Sequence, residues 1–183
     1  MTVLETERLQ LRPFEASDAP ALSRIVSARE VYDGTVTIPH PYEPEWAAEY
    51  IAAMENENEL AITLRSDGTL VGSMALVVEP QHSRAELGYV VGVPFWGNGY
   101  ATEAGRAMLE HAFGTLGLNR VFAYCFARNR ASRRVLEKLG MTREGGRRAH
   151  TLKDGEFLDD DAFGILACEW PAKEPNAGRR TPS

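Results

Sequence analysis

A strand-like run from Glu86 to Val91 passes through Gly92, Pro94, Gly97 and Gly99 and enters a helical pattern at Tyr100-Ala101-Thr102-Glu103-Ala104. A turn of this kind leaves backbone N–H groups free at a helix N-terminus, where the helix dipole also favours an anion. Gly97 and Gly99 carry no side chain to keep a phosphate from the main chain, so the segment reads as a phosphate or pyrophosphate cradle. A Walker loop requires Lys-Ser/Thr after its last glycine, whereas Tyr100-Ala101 follows here. A dinucleotide fingerprint fits poorly too. Thr102 stands where its third glycine or alanine belongs, and the next strand-like run, Arg120–Phe126, has no carboxylate. The bland alternative is that the glycines only permit a tight strand-to-helix turn.

Other chemistry-bearing residues are dispersed. His40, His82, His111 and His150 lack metal-ligand spacing, which predicts no metal site. Cys125 and Cys168 lie in apolar runs without C-x-x-C spacing and read as two buried thiols in a reducing compartment. Asp159-Asp160-Asp161 reads as a solvated hairpin edge, and Arg128, Arg130, Arg133 and Arg134 form a local basic patch.

The elements that must position these groups follow from periodicity and turn chemistry. Leu9 and Leu11 alternate with polar residues as a first strand, and Ser17-Asp18 offers an N-cap to a helix bearing Ala21, Leu22, Ile25 and Val26. Residues 32–42 look irregular and end in the stiff Ile38-Pro39-His40-Pro41-Tyr42. A helix with Trp46, Tyr50, Ile51 and Met54 on one face follows, the two aromatics assigned to core packing. Strands are predicted at Leu60–Arg65 and Leu70–Val78 around the turn Ser66-Asp67-Gly68-Thr69, then at Ala85–Val91, Arg120–Phe126 and Phe163–Trp170. A long amphipathic helix spans Gly97–Leu116. Asn129 caps another that Gly140 stops, and Lys153-Asp154-Gly155 is a hairpin turn. This is a mixed α/β (α+β) plan around a partly antiparallel sheet.

At 183 residues the chain is the length of one domain, read as residues 1–170 with a disordered tail over 171–183. With 44% hydrophobic residues it can bury a full core. A net charge of −6 argues against a general nucleic-acid binder, which needs a surplus of base. The N-terminus shows no signal-peptide pattern and no apolar run approaches a membrane span, so a cytoplasmic protein that meets neither membrane nor nucleic acid is expected. Nothing in the residues decides between monomer and homodimer.

The segment Trp96-Gly97-Asn98-Gly99-Tyr100-Ala101 resembles the pyrophosphate loop of the GNAT-superfamily N-acetyltransferases, Gln/Arg-x-x-Gly-x-Gly/Ala. Its extension through Thr102-Glu103-Ala104 is similar to the branch containing the ribosomal-protein N-terminal acetyltransferases. That branch also has Glu-Leu/Ile-Gly-Tyr before the loop, matched by Glu86–Tyr89, and Asn-x-x-Ser-x-x-Val-Leu-Glu-Lys-Leu-Gly after it, matched from Asn129 to Gly140. The opening Thr6-Glu7-Arg8-Leu9 and the closing Lys153-Asp154-Gly155-Glu156 and Glu169-Trp170 are typical as well, so the likeness runs over about residues 4–170. Trp96 departs from the superfamily's Gln or Arg, as the branch commonly does. Leu136 occupies the place where many members have a general-acid tyrosine, which excludes a tyrosine there.

The resemblance implies the GNAT acyl-CoA fold, a central, mostly antiparallel, splayed sheet flanked by helices. It also implies acetyl transfer from acetyl-CoA to a primary amine. The diphosphate would lie on N–H groups of Gly97, Asn98, Gly99, Tyr100, Ala101 and Thr102. Main-chain groups at Val91 and Val93 would serve pantetheine and the oxyanion, Asn129 the cofactor arm, and Arg133 or Arg134 the 3′-phosphate. Glu86 is the candidate base through water and Ser132 a candidate hydrogen-bond partner of the sulfur, although a thiol of pKa about 8.5 leaves without strong acid help. His40 and Tyr42 are the candidate acceptor contacts. The acceptor implied first is a protein N-terminal amine. A small amine (polyamine, amino acid or antibiotic) and a non-catalytic CoA-binding regulatory module are the alternatives.

Overall fold

The computed structural model describes residues 2–171, so all but the first residue of the tail expected to be disordered lies outside the described residues. Eight strands form one sheet: β1 (Leu4–Glu5), β2 (Leu9–Arg12), β3 (Glu59–Leu64), β4 (Leu70–Glu79), β5 (Arg84–Val91), β6 (Arg120–Phe126), β7 (Thr142–Lys153) and β8 (Glu156–Leu166). Their spatial order is β1-β2-β3-β4-β5-β6-β8-β7, antiparallel throughout except for the parallel β5–β6 contact. Alternation decides which side each strand buries: Leu9 and Leu11 of β2 and Ala85 and Leu87 of β5 are buried, with half-buried residues between them.

Helices cover both faces. On one, α4 (Tyr100–Glu110) and α5 (Arg130–Lys138) contribute Ala104, Met108, Leu109 and Leu136 to a core with Leu9, Ile62, Met74, Leu87 and Val121. On the other, α1 (Ala19–Val26) and α3 (Pro44–Ala52) pack Leu22, Ile25, Val26 and Ala47 on Ala61 and Leu70. A short α2 (Arg29–Gly34) runs three residues into the stretch expected to be irregular from residue 32, and irregular chain follows it to Glu43. The expected stop at Gly140 is present at φ 82°, and Asn129 Oδ1 accepts the Ser132 N–H at 3.0 Å as an N-cap worth about 1 kcal/mol.

Several expectations are corrected. Asp18 does not cap α1 with its side chain. Its carboxylate takes two hydrogen bonds from Arg12, at 2.8 and 2.9 Å, and one from the Glu15 N–H at 2.8 Å. The long helix begins at Tyr100, because Gly97 and Gly99 are left-handed, and after Glu110 it widens into a π turn over His111–Thr115. The final strand starts at Glu156 and ends at Leu166, pairing with β7 across the Lys153-Asp154-Gly155 turn.

Only Asp159 of the acidic run is exposed as a solvated edge would be. Asp160 and Asp161 are 4% and 1% exposed, the first held by Arg147 and Thr151, the second by Arg133 and Arg143. Cys125 is buried as expected, but Cys168 is exposed. Trp46 and Tyr50 are not core residues either. They are 38% and 46% exposed on the free side of α3.

Candidate active site

Strands β5 and β6 pair only at Arg84↔Arg120, Ala85↔Val121 and Glu86↔Phe122, then diverge although both run on. Past Glu86 the β6-facing edge of β5 is therefore open, leaving main-chain donors and acceptors for an extended ligand. Tyr89 links the parted strand to α5, its hydroxyl 2.7 Å from Ser132 Oγ and 3.3 Å from the Ser132 carbonyl.

A cleft of about 570 Å³ opens between the N-termini of α4 and α5 and the end of β5. Val91, Gly97, Gly99, Tyr100, Ala101, Thr102, Asn129, Ser132 and Arg134 line it, all of them singled out from the sequence. Gly97 and Gly99 adopt φ of 78° and 81°, a region costly for other residues, and a Cβ on Gly97 would meet nothing within 4 Å. The loop is thus shaped by conformation and its main chain stays approachable. Beyond it the first turn of α4 presents N–H groups that have no partner within the helix. Arg128, Arg134 and Lys138 add positive charge to the wall. These residues fit a long ligand with a diphosphate.

Three expectations fall outside that wall. Asn98 turns its side chain back to the carbonyls of Phe95 and Trp96, at 3.1 and 3.2 Å. Val93 does not line the cleft, and the neighbouring Gly92 N–H is spent on the Val71 carbonyl at 2.9 Å. Arg133 is bound to Asp161, which leaves Arg134 as the available member of that pair. The motif reading also missed a brace. Glu103, in the first turn of α4, accepts from Thr6 Oγ1 at 2.6 Å, the Arg8 N–H at 2.9 Å and Arg8 Nε at 2.7 Å. The opening Thr6-Glu7-Arg8 block therefore fixes the helix that carries the cradle.

A second cleft, of about 900 Å³, lies over the sheet between α3, the chain after α2, and β5 to β8. It joins the first at Gly34, Thr35, Tyr89 and Val90, which line both. Glu86 and Tyr42 are on its wall; His40 is not, and instead stacks on Tyr32 at 5.0 Å. Glu49, Glu59, Arg147, His150 and Asp160, none of them assigned to the site from the sequence, line it as well. Their signal lay in strand alternation, since Glu86, Tyr124 and Asp160 share a sheet face once register is known. Burial pushes the Glu86 carboxyl above its ordinary range, Arg147 pulls it down and Glu79 raises it again. Arg147 itself stacks on Tyr124 at 3.7 Å and reaches Asp160 at 3.2 Å. Among the described residues no cluster of three or more His, Cys, Asp or Glu side chains is arranged to hold a metal ion.

Two clefts that meet beside a half-buried hydroxyl pair suit a group transfer in which each reactant enters from its own side. Comparison with known proteins agrees. Residues 8–142 match the model of the acetyltransferase (GNAT) domain. YoaA, an uncharacterized N-acetyltransferase of Bacillus subtilis, is 31% identical over 170 residues, 90% of this chain and 96% of its own. The L-amino acid N-acetyltransferase AaaT of Escherichia coli is 28% identical over 81% of this chain and 92% of its own. A GNAT-family acetyltransferase from Bacillus anthracis superposes with a TM-score of 0.85 at 27% identity, over 91% of this chain and 99% of that one. A family match over most of the sequence, with relatives aligned nearly end to end, places this chain in the GNAT family as an acetyl-CoA-dependent N-acetyltransferase.

Proposed function

We propose that the protein transfers the acetyl group of acetyl-CoA to the N-terminal amine of a polypeptide by direct attack. The observation that carries this reading is the second cleft: at about 900 Å³ it is larger than a lone amino acid or short diamine fills, and it opens beside Glu86. Its wall carries Glu49, Glu59, Glu86 and Asp160 against Arg147 and His150, a balance suited to an acceptor that arrives as an ammonium ion. Arg147 is engaged by Asp160, so it is not free to clamp the carboxylate of an amino acid.

In this reading the cradle from Gly97 to Thr102 and the α5 N-terminus hold the donor, and the free edge of β5 aligns its arm. Glu86 takes the amine's proton through water, which restores the lone pair that attacks the thioester carbonyl. Main-chain donors near Val91 support the oxyanion. Ser132 faces the departing sulfur. The free thiols Cys125 and Cys168 fit the reducing cytoplasm expected of such an enzyme.

The test is thiol release from acetyl-CoA with peptides bearing a free α-amine, the same peptides N-terminally blocked with an internal lysine, free amino acids and polyamines. Turnover with the first set alone, with the acetyl group placed on the α-nitrogen by mass spectrometry, is the expected result. Turnover only with amino acids or polyamines would overturn the acceptor class. Calorimetric binding of acetyl-CoA without thiol release from any amine would instead mark a regulatory module.

A further inference from the structure

Acetyl transfer must take place where the two clefts join, and Tyr89 is the one residue with an ionisable side chain among the four that line both. Its hydroxyl lies 2.7 Å from Ser132 Oγ, across the gap left by the divergence of β5 and β6. We propose that Tyr89 is a positioning residue for the reaction: its phenol donates to Ser132 Oγ, so that the serine's own proton turns toward the thioester sulfur and supports the thiolate as it leaves. The proposal rests on the acetyltransferase reading given above and adds a residue to it.

The 2.7 Å contact is open to either direction, and the phenol's single proton has two acceptors on Ser132, Oγ at 2.7 Å and the carbonyl at 3.3 Å; the proposal places it on the nearer one. A serine hydroxyl has one proton and two lone pairs, so an incoming phenol proton leaves its own proton free for a third group. Ser132 also contacts the Cys125 thiol, which burial pushes up to about 11 and which stays neutral, with the Asp161–Arg133 pair behind it. A neutral thiol competes weakly for the serine proton against a forming thiolate, because hydrogen bonds to charged groups are the stronger ones. Leu136, where a tyrosine would be the usual acid, is wholly buried, so the phenol reaches this helix from β5 instead.

Tyr89 does not itself give up the proton. A phenol titrates near 10 in water and burial raises Tyr89 well above that, beyond the range of an alkyl thiol, so transfer to the thiolate runs uphill. The step balances without it. The C–N bond forms as the C–S bond breaks, the bonding pair goes to sulfur, the first ammonium proton goes to Glu86 through water, the second leaves the nitrogen to solvent as the amide forms, and the thiolate collects a proton from solvent after release.

A purely structural clasp between β5 and α5 would use the same hydrogen bond, so the test must read the sulfur. Bound CoA is titrated through the ultraviolet absorbance of its thiolate in wild type, Tyr89→Phe, Ser132→Ala and the double variant, and kcat and KM are measured on the same proteins. In both single variants the bound thiol is expected to titrate about one pH unit higher than in wild type. The value of kcat should fall about tenfold, with KM for acetyl-CoA unchanged within about twofold. The double variant should be no slower than Ser132→Ala. Identical thiol titrations in all four proteins, losses that multiply in the double variant, or a KM effect alone would overturn the role of Tyr89 and leave the enzyme assignment standing. Wild-type protein that binds no CoA would overturn both.

Discussion

A buried carboxylate acts as a base only if its charged form is not priced out of the pH range in which the enzyme works. Burial raises Glu86, and Arg147 is the group that opposes burial. The acid limb of kcat/KM should therefore lie above the ordinary glutamate range, with activity gained as pH rises and Glu86 ionises. Removing the opposing charge with Arg147→Met should move that limb to higher pH. Glu86→Gln should abolish the limb and lower kcat about a hundredfold or more while leaving acetyl-CoA affinity intact. The stability change has the opposite sign to the activity change. A carboxyl raised in the folded state stabilises the fold when protonated, and that contribution is lost as pH climbs through its folded value. Near neutrality wild-type Glu86 thus carries a cost that glutamine lacks, so the melting temperature of Glu86→Gln should hold or rise. Full turnover in Glu86→Gln, or an acid limb that does not move in Arg147→Met, would remove Glu86 as the base.

At the scale of elements, the site depends on β5 being held to β4 while it leaves β6. Gly72 makes that contact possible. A Cβ on it would stand 2.0 Å from the Val90 carbonyl oxygen and 2.9 Å from the Val91 Cα, and backbone atoms cannot rotate away. Gly72→Ala should cost about 3 kcal/mol or more and push Val90–Val91 off β4, so thermal stability and acetyl-CoA binding fall together. A melting temperature and affinity near wild type would show that the strands tolerate a gap there. Gly72 carries no local mark of this role, whereas other features could be read directly. The Lys153-Asp154-Gly155 turn, the Asn129 cap and the Gly140 stop are local chemistry, because each is set by neighbours within a few residues. Asp160 and Asp161 were misread because their partners Arg133, Arg143 and Arg147 come from other elements, and a carboxylate's burial is decided by those partners. Trp46 and Tyr50 were misread for a related reason. Helical spacing shows that they share a side of α3, and only the fold reveals that this side borders a cleft.

At the scale of the whole molecule, clefts that approach the parted strands and join at Tyr89 and Val90 let donor and acceptor be bound at once. The competing arrangement is a covalent relay, in which a protein nucleophile first accepts the acetyl group and the amine then removes it. Cys125 is the nucleophile placed for that role, since it borders the second cleft and contacts Ser132. Burial and the nearby Asp161 push its thiol up to about 11. At neutral pH this leaves about one molecule in ten thousand as thiolate, the form that attacks a thioester. Initial rates measured over both substrates should therefore give intersecting reciprocal plots, as a ternary complex requires. Cys125→Ala should keep kcat within about threefold of wild type, the change being a small buried truncation that costs about 1 kcal/mol in stability. Parallel plots, together with an acetyl group found on Cys125 after incubation with acetyl-CoA alone, would mean that the junction hands the group over in two steps and that the clefts are used in turn.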